Sequence, residues 1–77
     1  MELEEFIERF AEEFEDTDKS EFTADTDYKE LEEWDSMHGM YIFALIESEF
    51  GVEMTREDLN SCKTIGELYE AVKAKAK

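Results

Sequence analysis

The sequence predicts an all-α fold, a small four-helix bundle with three main helices, a short third helix and a long first loop. Three segments carry apolar residues at helical spacing, which is the primary sign of amphipathic helices. The chain has no proline and three glycines, too few for the many turns of an all-β fold. Its 77 residues have room for one core, so we expect a single domain over residues 1–77.

The first segment predicts a helix over about residues 2–15. Its apolar side chains form one stripe of a 3.6-residue period, with glutamates mostly off the stripe. The stripe consists of Leu3, Phe6, Ile7, Phe10 and Phe14.

A polar connection follows from Asp16 to about Trp34, which is long for a compact domain. Threonine, serine and aspartate dominate it, and few side chains can anchor it. Tyr28 to Glu32 has the pattern of a short helical turn inside this connection.

The second helix begins near Asp35 and Ser36 and runs to Phe50, with Gly51 placed as a left-handed cap just after its end. Apolar residues cover most sides of this helix. Such a helix is central in its bundle, or keeps one apolar face for another purpose.

Two capping boxes predict the last two helices. Thr55 and Asp58 open a short third helix through Leu59. Thr64 and Glu67 fit the capping box better, with the threonine hydroxyl bound to the third backbone amide and the glutamate bound to the cap's own amide. They open a last helix over about residues 65–75.

Charge restricts the class of partner. The chain has 23 acidic and 8 basic side chains, for a net charge of −15. Residues 1–36 carry 16 acids and 3 bases, so −13 of this charge lies in the first half. Nucleic acids and anionic membranes repel such a chain, whereas a basic protein surface attracts it.

The location expected from the sequence is the cytoplasm. No apolar run approaches the roughly 20 residues of a membrane span. The first residues are acidic, opposite to the basic start of a signal peptide. A single cysteine, Cys62, excludes an internal disulfide and fits a reducing compartment.

The sequence gives little evidence of a catalytic site or of a specific metal site. His38 and Cys62 are the single histidine and cysteine, and nothing in the sequence brings them together as a nucleophilic pair. Residues 16–27 begin like a calcium loop, but Glu21 stands where glycine is needed and Asp27 where a bidentate glutamate is needed. We expect no catalytic residue, no zinc site and only weak, nonspecific cation binding.

Ser36 is the residue whose placement has two interpretations. It can cap the second helix. Asp35 also prefers a cap position, and then Ser36 begins the helix with its hydroxyl free at an exposed corner. A helix amino terminus is also a favourable place for a phosphate.

The chain resembles the acyl carrier proteins over nearly its whole length. The family's hallmark is Asp-Ser-Leu at the start of the second helix; here the tripeptide is Asp35-Ser36-Met37. Its position after a long loop, in a chain of this length and acidity, strengthens the match. Other residues that carry the resemblance are Trp34, Met40, Leu45, Glu47, Glu49, Phe50, Gly51, Val52, Met54, Thr64, Ile65 and Leu68.

The resemblance implies that Ser36 carries a 4′-phosphopantetheine arm, installed from coenzyme A by a phosphopantetheinyl transferase with Mg²⁺. The arm's thiol holds acyl groups as thioesters, and the protein is a carrier rather than an enzyme. A free-standing, monomeric carrier of fatty-acid, lipid or polyketide biosynthesis is the function expected. Its partners are acyl-transferring or acyl-modifying enzymes with basic docking patches.

The partner-binding residues expected beside Ser36 are Asp35, Met37, Met40 and Tyr41. Flexible methionines suit variable partners. His38 is expected to face solvent.

Three other functions remain open from the sequence. An aminoacyl or peptidyl carrier has the same arm with a different cargo. An acidic interaction module has no arm and uses Ser36 as a cap. A calcium-responsive bundle requires tight Ca²⁺ binding by residues 16–27.

Overall fold

The computed structural model describes residues 2–76 and forms a four-helix bundle. The helices are α1 (Leu3–Glu12), α2 (Ser36–Phe50), α3 (Arg56–Ser61) and α4 (Ile65–Lys75). Two short 3₁₀ helices, Lys19–Glu21 and Tyr28–Glu30, lie in the long first connection. Among the described residues there is no β-strand, and the predicted all-α fold is confirmed.

The α-helices begin and end close to where the sequence places them, with one exception. The bounds of α4 match the prediction, α3 continues two residues beyond Leu59, and Gly51 ends α2 in the left-handed conformation at φ 67°. The exception is α1, which ends at Glu12 rather than at residue 15. Phe14 is nevertheless buried, so the apolar stripe continues after the helix has ended.

Of the two predicted capping boxes, the first forms completely and the second forms only in its threonine half. Thr55 and Asp58 cap each other's backbone at the start of α3. The Thr64 hydroxyl accepts the Glu67 N–H at 3.1 Å. The Glu67 carboxylate, however, accepts the N–H of Lys63 at 2.9 Å, not that of the cap residue.

Aromatic rings fill the centre of the bundle. α1 packs against α2 and α4, and its Phe6 and Phe10 are fully buried. The Phe6 ring lies 5.4 Å from Tyr69 of α4, and the Phe10 ring lies 5.7 Å from Tyr28 of the connection. These contacts bind the connection into the same core as the helices.

The long connection is fixed to the second half of the chain by backbone hydrogen bonds. Ile65 N–H donates to the Thr26 carbonyl at 3.1 Å, and Gly66 N–H donates to the Ala24 carbonyl at 2.9 Å. The connection therefore has a defined course, which ends at the first turn of α2. Within residues 2–76, no helix combines the length and apolar character needed to cross a bilayer.

Candidate functional site

Asp35, not Ser36, caps the second helix. Asp35 has extended backbone angles, and its carboxylate accepts the backbone N–H of His38 at 2.9 Å. An aspartate in this position accepts a hydrogen bond from one of the backbone N–H groups that have no acceptor within the first turn of the helix. Ser36 is consequently the first residue of α2, as the second interpretation of the sequence requires.

The Ser36 side chain is exposed and unengaged. Its hydroxyl makes no hydrogen bond to any residue between 2 and 76. No carboxylate or imidazole in this part of the chain is therefore bound to it as a base. The arrangement presents an exposed hydroxyl at the first residue of α2.

A small cleft of about 100 Å³ opens beside Ser36, between α2 and α3. Trp34, Phe43 and Leu59 supply its apolar walls. Arg56 and Asn60 of α3 supply its polar side. The cleft thus combines an apolar wall with a cation next to the free hydroxyl.

His38 faces inward, so the expectation that it faces solvent is wrong. Its side chain is 14% exposed, and its ring stacks on Phe14 with 4.7 Å between centroids. Nδ1 lies 2.8 Å from Asp35 Oδ1, and Nε2 lies 3.5 Å from Glu33 Oε2. The reason is tertiary: Phe14, at the end of the α1 stripe, supplies an apolar surface that covers the ring.

The carboxylates around His38 are held in their charged form. The pKa of Asp35 is lowered, mainly by the backbone N–H of His38 and then by the His38 ring. The pKa of Glu33 is lowered mainly by the Thr17 hydroxyl, with contributions from the Asp16 N–H and from His38. Hydrogen bonds to the ionised form have this effect.

An apolar face adjoins Ser36 on α2. Met37, Met40 and Tyr41 are 60%, 62% and 42% exposed, the large exposed hydrophobic side chains of the described residues. From Ser36 to Ile46 the helix has no acidic residue. In a chain of net charge −15, this face is set apart from the surrounding acidic surface.

The other candidate chemistries are not assembled. Cys62 is buried at the end of α3, and the contacts of His38 are with Glu33, Asp35, Phe14 and Tyr41 instead. In the loop that begins like a calcium site, Asp18 and Asp27 each cap a 3₁₀ helix through their carboxylates. Among residues 2–76 no group of three or more potential ligands could hold a metal ion.

Sequence reasoning missed two residues of this corner, Glu33 and Arg56. The Glu33 contact with His38 depends on the path of the long connection, which leaves no sequence signal. Arg56 reaches the cleft because α3 packs beside α2. The Asp35–His38 pair, in contrast, has the i, i+3 spacing of neighbours on a helix and was detectable.

One of the comparisons with known proteins identifies a family for the chain. Residues 4–72, about nine-tenths of the chain, match the family model described as phosphopantetheine attachment site. No curated protein and no solved structure matches the chain. Members of the family bind 4′-phosphopantetheine covalently, are typically non-catalytic carriers, and interact with phosphopantetheinyl transferase and with modifying enzymes. The chain therefore belongs to the phosphopantetheine attachment site family and is a carrier of that prosthetic group.

Proposed function

We propose that the chain is an acyl carrier protein, with Ser36 as the residue that bears the 4′-phosphopantetheine arm. It carries acyl groups as thioesters between enzymes of fatty-acid, lipid or polyketide biosynthesis. One observation carries the proposal. In a chain of this family, the Ser36 hydroxyl is exposed and free at the first residue of α2, because Asp35 provides the cap.

The residues around Ser36 fit the arm. The positive end of α2 favours a phosphate group there, since the amides and the helix dipole attract negative charge. Arg56 and Asn60 offer polar contacts to the arm, while Trp34 and Leu59 offer apolar ones. When bound, the arm supplies a thiol for thioester formation.

The chain's part in its own modification is to present the hydroxyl. Ser36 Oγ forms a bond to the phosphorus of coenzyme A that bears the pantetheine, the bond to the 3′,5′-ADP leaving group breaks, and the serine proton leaves. His38 does not take that proton, because both ring nitrogens face carboxylates. We assign the base for this step to the transferase, and propose that the chain itself has no catalytic activity.

The surface we assign to partners consists of Asp35, Met37, Met40 and Tyr41. Its exposed methionines can adapt to several partners. Acids of α1 and the connection flank it: Glu12, Glu13, Glu15 and Glu33 border the same hollow as Tyr41. A matching partner has an apolar patch with basic residues at one edge.

Intact mass tests the attachment residue. The protein is incubated with coenzyme A, Mg²⁺ and a broad-specificity phosphopantetheinyl transferase. We expect the parent and Ser48→Ala to gain one phosphopantetheinyl group, and Ser36→Ala to gain none. Ser48 is a matched control, an exposed serine on the same helix. An arm on Ser36→Ala contradicts the assignment.

Transfer kinetics test the partner surface. Replacing Met37 and Met40 together with serine removes two exposed apolar contacts without opening the core. We expect a higher KM for the transferase and an unchanged melting temperature. An unchanged KM contradicts the assignment of this face.

Loading assays test the cargo. The armed protein is offered to acyl ligases and to aminoacyl ligases in parallel. We expect loading by the acyl ligases. Loading by aminoacyl ligases alone identifies an aminoacyl or peptidyl carrier, and overturns the acyl assignment while leaving the arm on Ser36.

We also propose that the carrier is a monomer in the cytoplasm. Copies of a chain with net charge −15 repel each other, which disfavours self-association. The buried free thiol of Cys62 is suited to a reducing compartment. Sedimentation at low and moderate salt tests the first point, and cell fractionation tests the second.

A further inference from the structure

The His38 ring lies between two carboxylates on either side of Trp34, where the long connection passes into α2. Through Nδ1 it contacts Asp35, the cap of α2, at 2.8 Å. Through Nε2 it faces Glu33, near the end of the long connection, at 3.5 Å. Its stacking on Phe14 fixes the plane of the ring between these two carboxylates.

Glu33 extends this link to the beginning of the long connection. Its Oε1 accepts the Thr17 hydroxyl at 2.7 Å and the Asp16 N–H at 3.1 Å. A continuous set of polar contacts therefore runs from Asp16 through Glu33 and His38 to Asp35. Both ends of the connection meet at the start of the helix that bears Ser36.

The link to Glu33 depends on the protonation state of the ring. The imidazolium donates from both nitrogens and satisfies both carboxylates. A neutral ring that donates from Nδ1 to Asp35 turns a lone pair toward Glu33. Histidine is the side chain whose ordinary charge change falls between about pH 5 and 8.

The other titratable groups around the ring are glutamates and one tyrosine. Tyr41 packs edge-on at 5.5 Å and is neutral in this pH range. Among the described residues, Glu12, Glu13 and Glu15 line the same hollow as His38, and no lysine or arginine does. The field at the ring is thus negative from α1, from the connection and from the cap of α2.

We propose that His38 is a positioning residue, which in its protonated form binds the carboxylates of both Glu33 and Asp35 and so fixes the end of the long connection against the first turn of α2. When the ring is neutral, the contact with Glu33 is lost while the contact with Asp35 remains. The consequence for arm attachment rests on the proposed function of Ser36. The link itself does not.

Nuclear magnetic resonance of the arm-free protein tests the link directly. The ring signals of this single histidine and the backbone amide of Asp16 are followed between about pH 5 and 8. We expect one common midpoint, since the ring's charge reaches Asp16 through Glu33. A flat Asp16 amide alongside a titrating ring overturns the proposal.

Two variants and a matched control test whether the change in ring charge reaches Asp16 through Glu33. His38→Phe retains the ring stack but removes both nitrogens, and should leave the Asp16 amide flat over the same range. Glu33→Gln should remove the Asp16 response but retain the ring's titration. The neighbouring Glu32→Gln removes the same charge outside the link and should change neither. An Asp16 response that persists in His38→Phe overturns the proposal.

The kinetics of arm transfer test the positioning role. Below the midpoint of the ring's titration found by magnetic resonance, we expect His38→Phe to lower kcat/KM by about tenfold, because Asp35 and the adjacent hydroxyl lose a fixed geometry. The difference should shrink above that midpoint, where the parent also loses the Glu33 contact. A ratio that does not vary with pH overturns this role. Failure of the parent to accept any arm overturns the proposed function instead, and leaves the titration result standing.

Discussion

The phenol oxygen of Tyr28 lies 3.0 Å from the carbonyl oxygen of Cys62, a residue 34 positions later in the chain. It lies 2.5 Å from the carbonyl oxygen of Leu59 as well, so the Tyr28 hydroxyl is the hydrogen-bond donor to two carbonyls at the end of α3. These carbonyls are among those that a helix leaves open at its end. The long connection therefore supplies the hydrogen-bond donor that the carbonyls at the end of α3 lack within their own helix.

Tyr28→Phe is expected to lower the free energy of unfolding by about 1–3 kcal/mol, because it leaves buried carbonyls without a donor and preserves the ring. Urea unfolding measures this change through the midpoint at constant slope. Tyr41→Phe is the control, since Tyr41 is exposed, and should change the stability by less than about 0.5 kcal/mol. Equal stability of the two variants contradicts the structural role of Tyr28.

Two glycines in helices should respond to alanine in opposite ways. At Gly39 a Cβ lies 3.5 Å from Leu59 Cδ2 and 3.8 Å from Trp34 Cζ2, which are ordinary contacts. Gly39→Ala should therefore raise stability by about 0.5–1 kcal/mol through helix propensity.

At Gly66 a Cβ lies 3.0 Å from the Ala24 carbonyl oxygen. That oxygen cannot retreat freely, because it accepts the Gly66 N–H at 2.9 Å. Gly66→Ala should lower stability, with thermal melts of both variants as the measurement. A melting temperature that rises in both refutes the close approach of the connection to α4.

Asp58 should account for part of the loss of stability in acid. Its pKa is lowered to about 2, first by the Lys75 ammonium at 2.6 Å and then by the backbone N–H and hydroxyl of Thr55. A lowered folded-state pKa gives stability that is complete above the ordinary value near 4 and is lost as the pH falls toward 2.

Melting temperatures of parent and Asp58→Asn between about pH 4 and 2 measure this contribution. The variant, which cannot be protonated there, should show the shallower decline. Glu57→Gln, at the adjacent exposed position, should follow the parent. Parallel declines in parent and Asp58→Asn refute the role of Asp58.

Cys62 should react slowly with thiol reagents in the folded protein. Burial is the main cause that raises the pKa of its thiol, and the reactive species is the thiolate. At about pH 8 we expect labelling to be at least about tenfold slower in the folded protein than in urea. Equal rates in the two states show that the end of α3 opens freely.

The sequence predicts the helices well because their signals are local. The cap at Thr55 and the terminator at Gly51 follow from side chains within one turn, whereas the sequence left open whether Asp35 or Ser36 caps α2. The early end of α1 was missed because hydrophobic periodicity reports burial rather than backbone conformation. Phe14 continues the stripe, but from a residue beyond the helix.

The surroundings of Ser36 could be predicted only in part. The exposure of Met37, Met40 and Tyr41 followed from an excess of apolar residues on one helix, and is confirmed. The inward position of His38 could not be predicted, because the ring that covers it belongs to Phe14, 24 residues earlier in the chain. Contacts across such distances depend on how the connection folds.

Trp34 gives the protein its own optical reporter. It is the single tryptophan of the chain and lines the cleft beside Ser36. Its indole lies 5.2 Å from the Tyr28 ring, close enough to collect excitation energy from the tyrosine. The emission wavelength of an indole depends on how far water reaches it. A change in what occupies the cleft is therefore visible as fluorescence from the unlabelled protein.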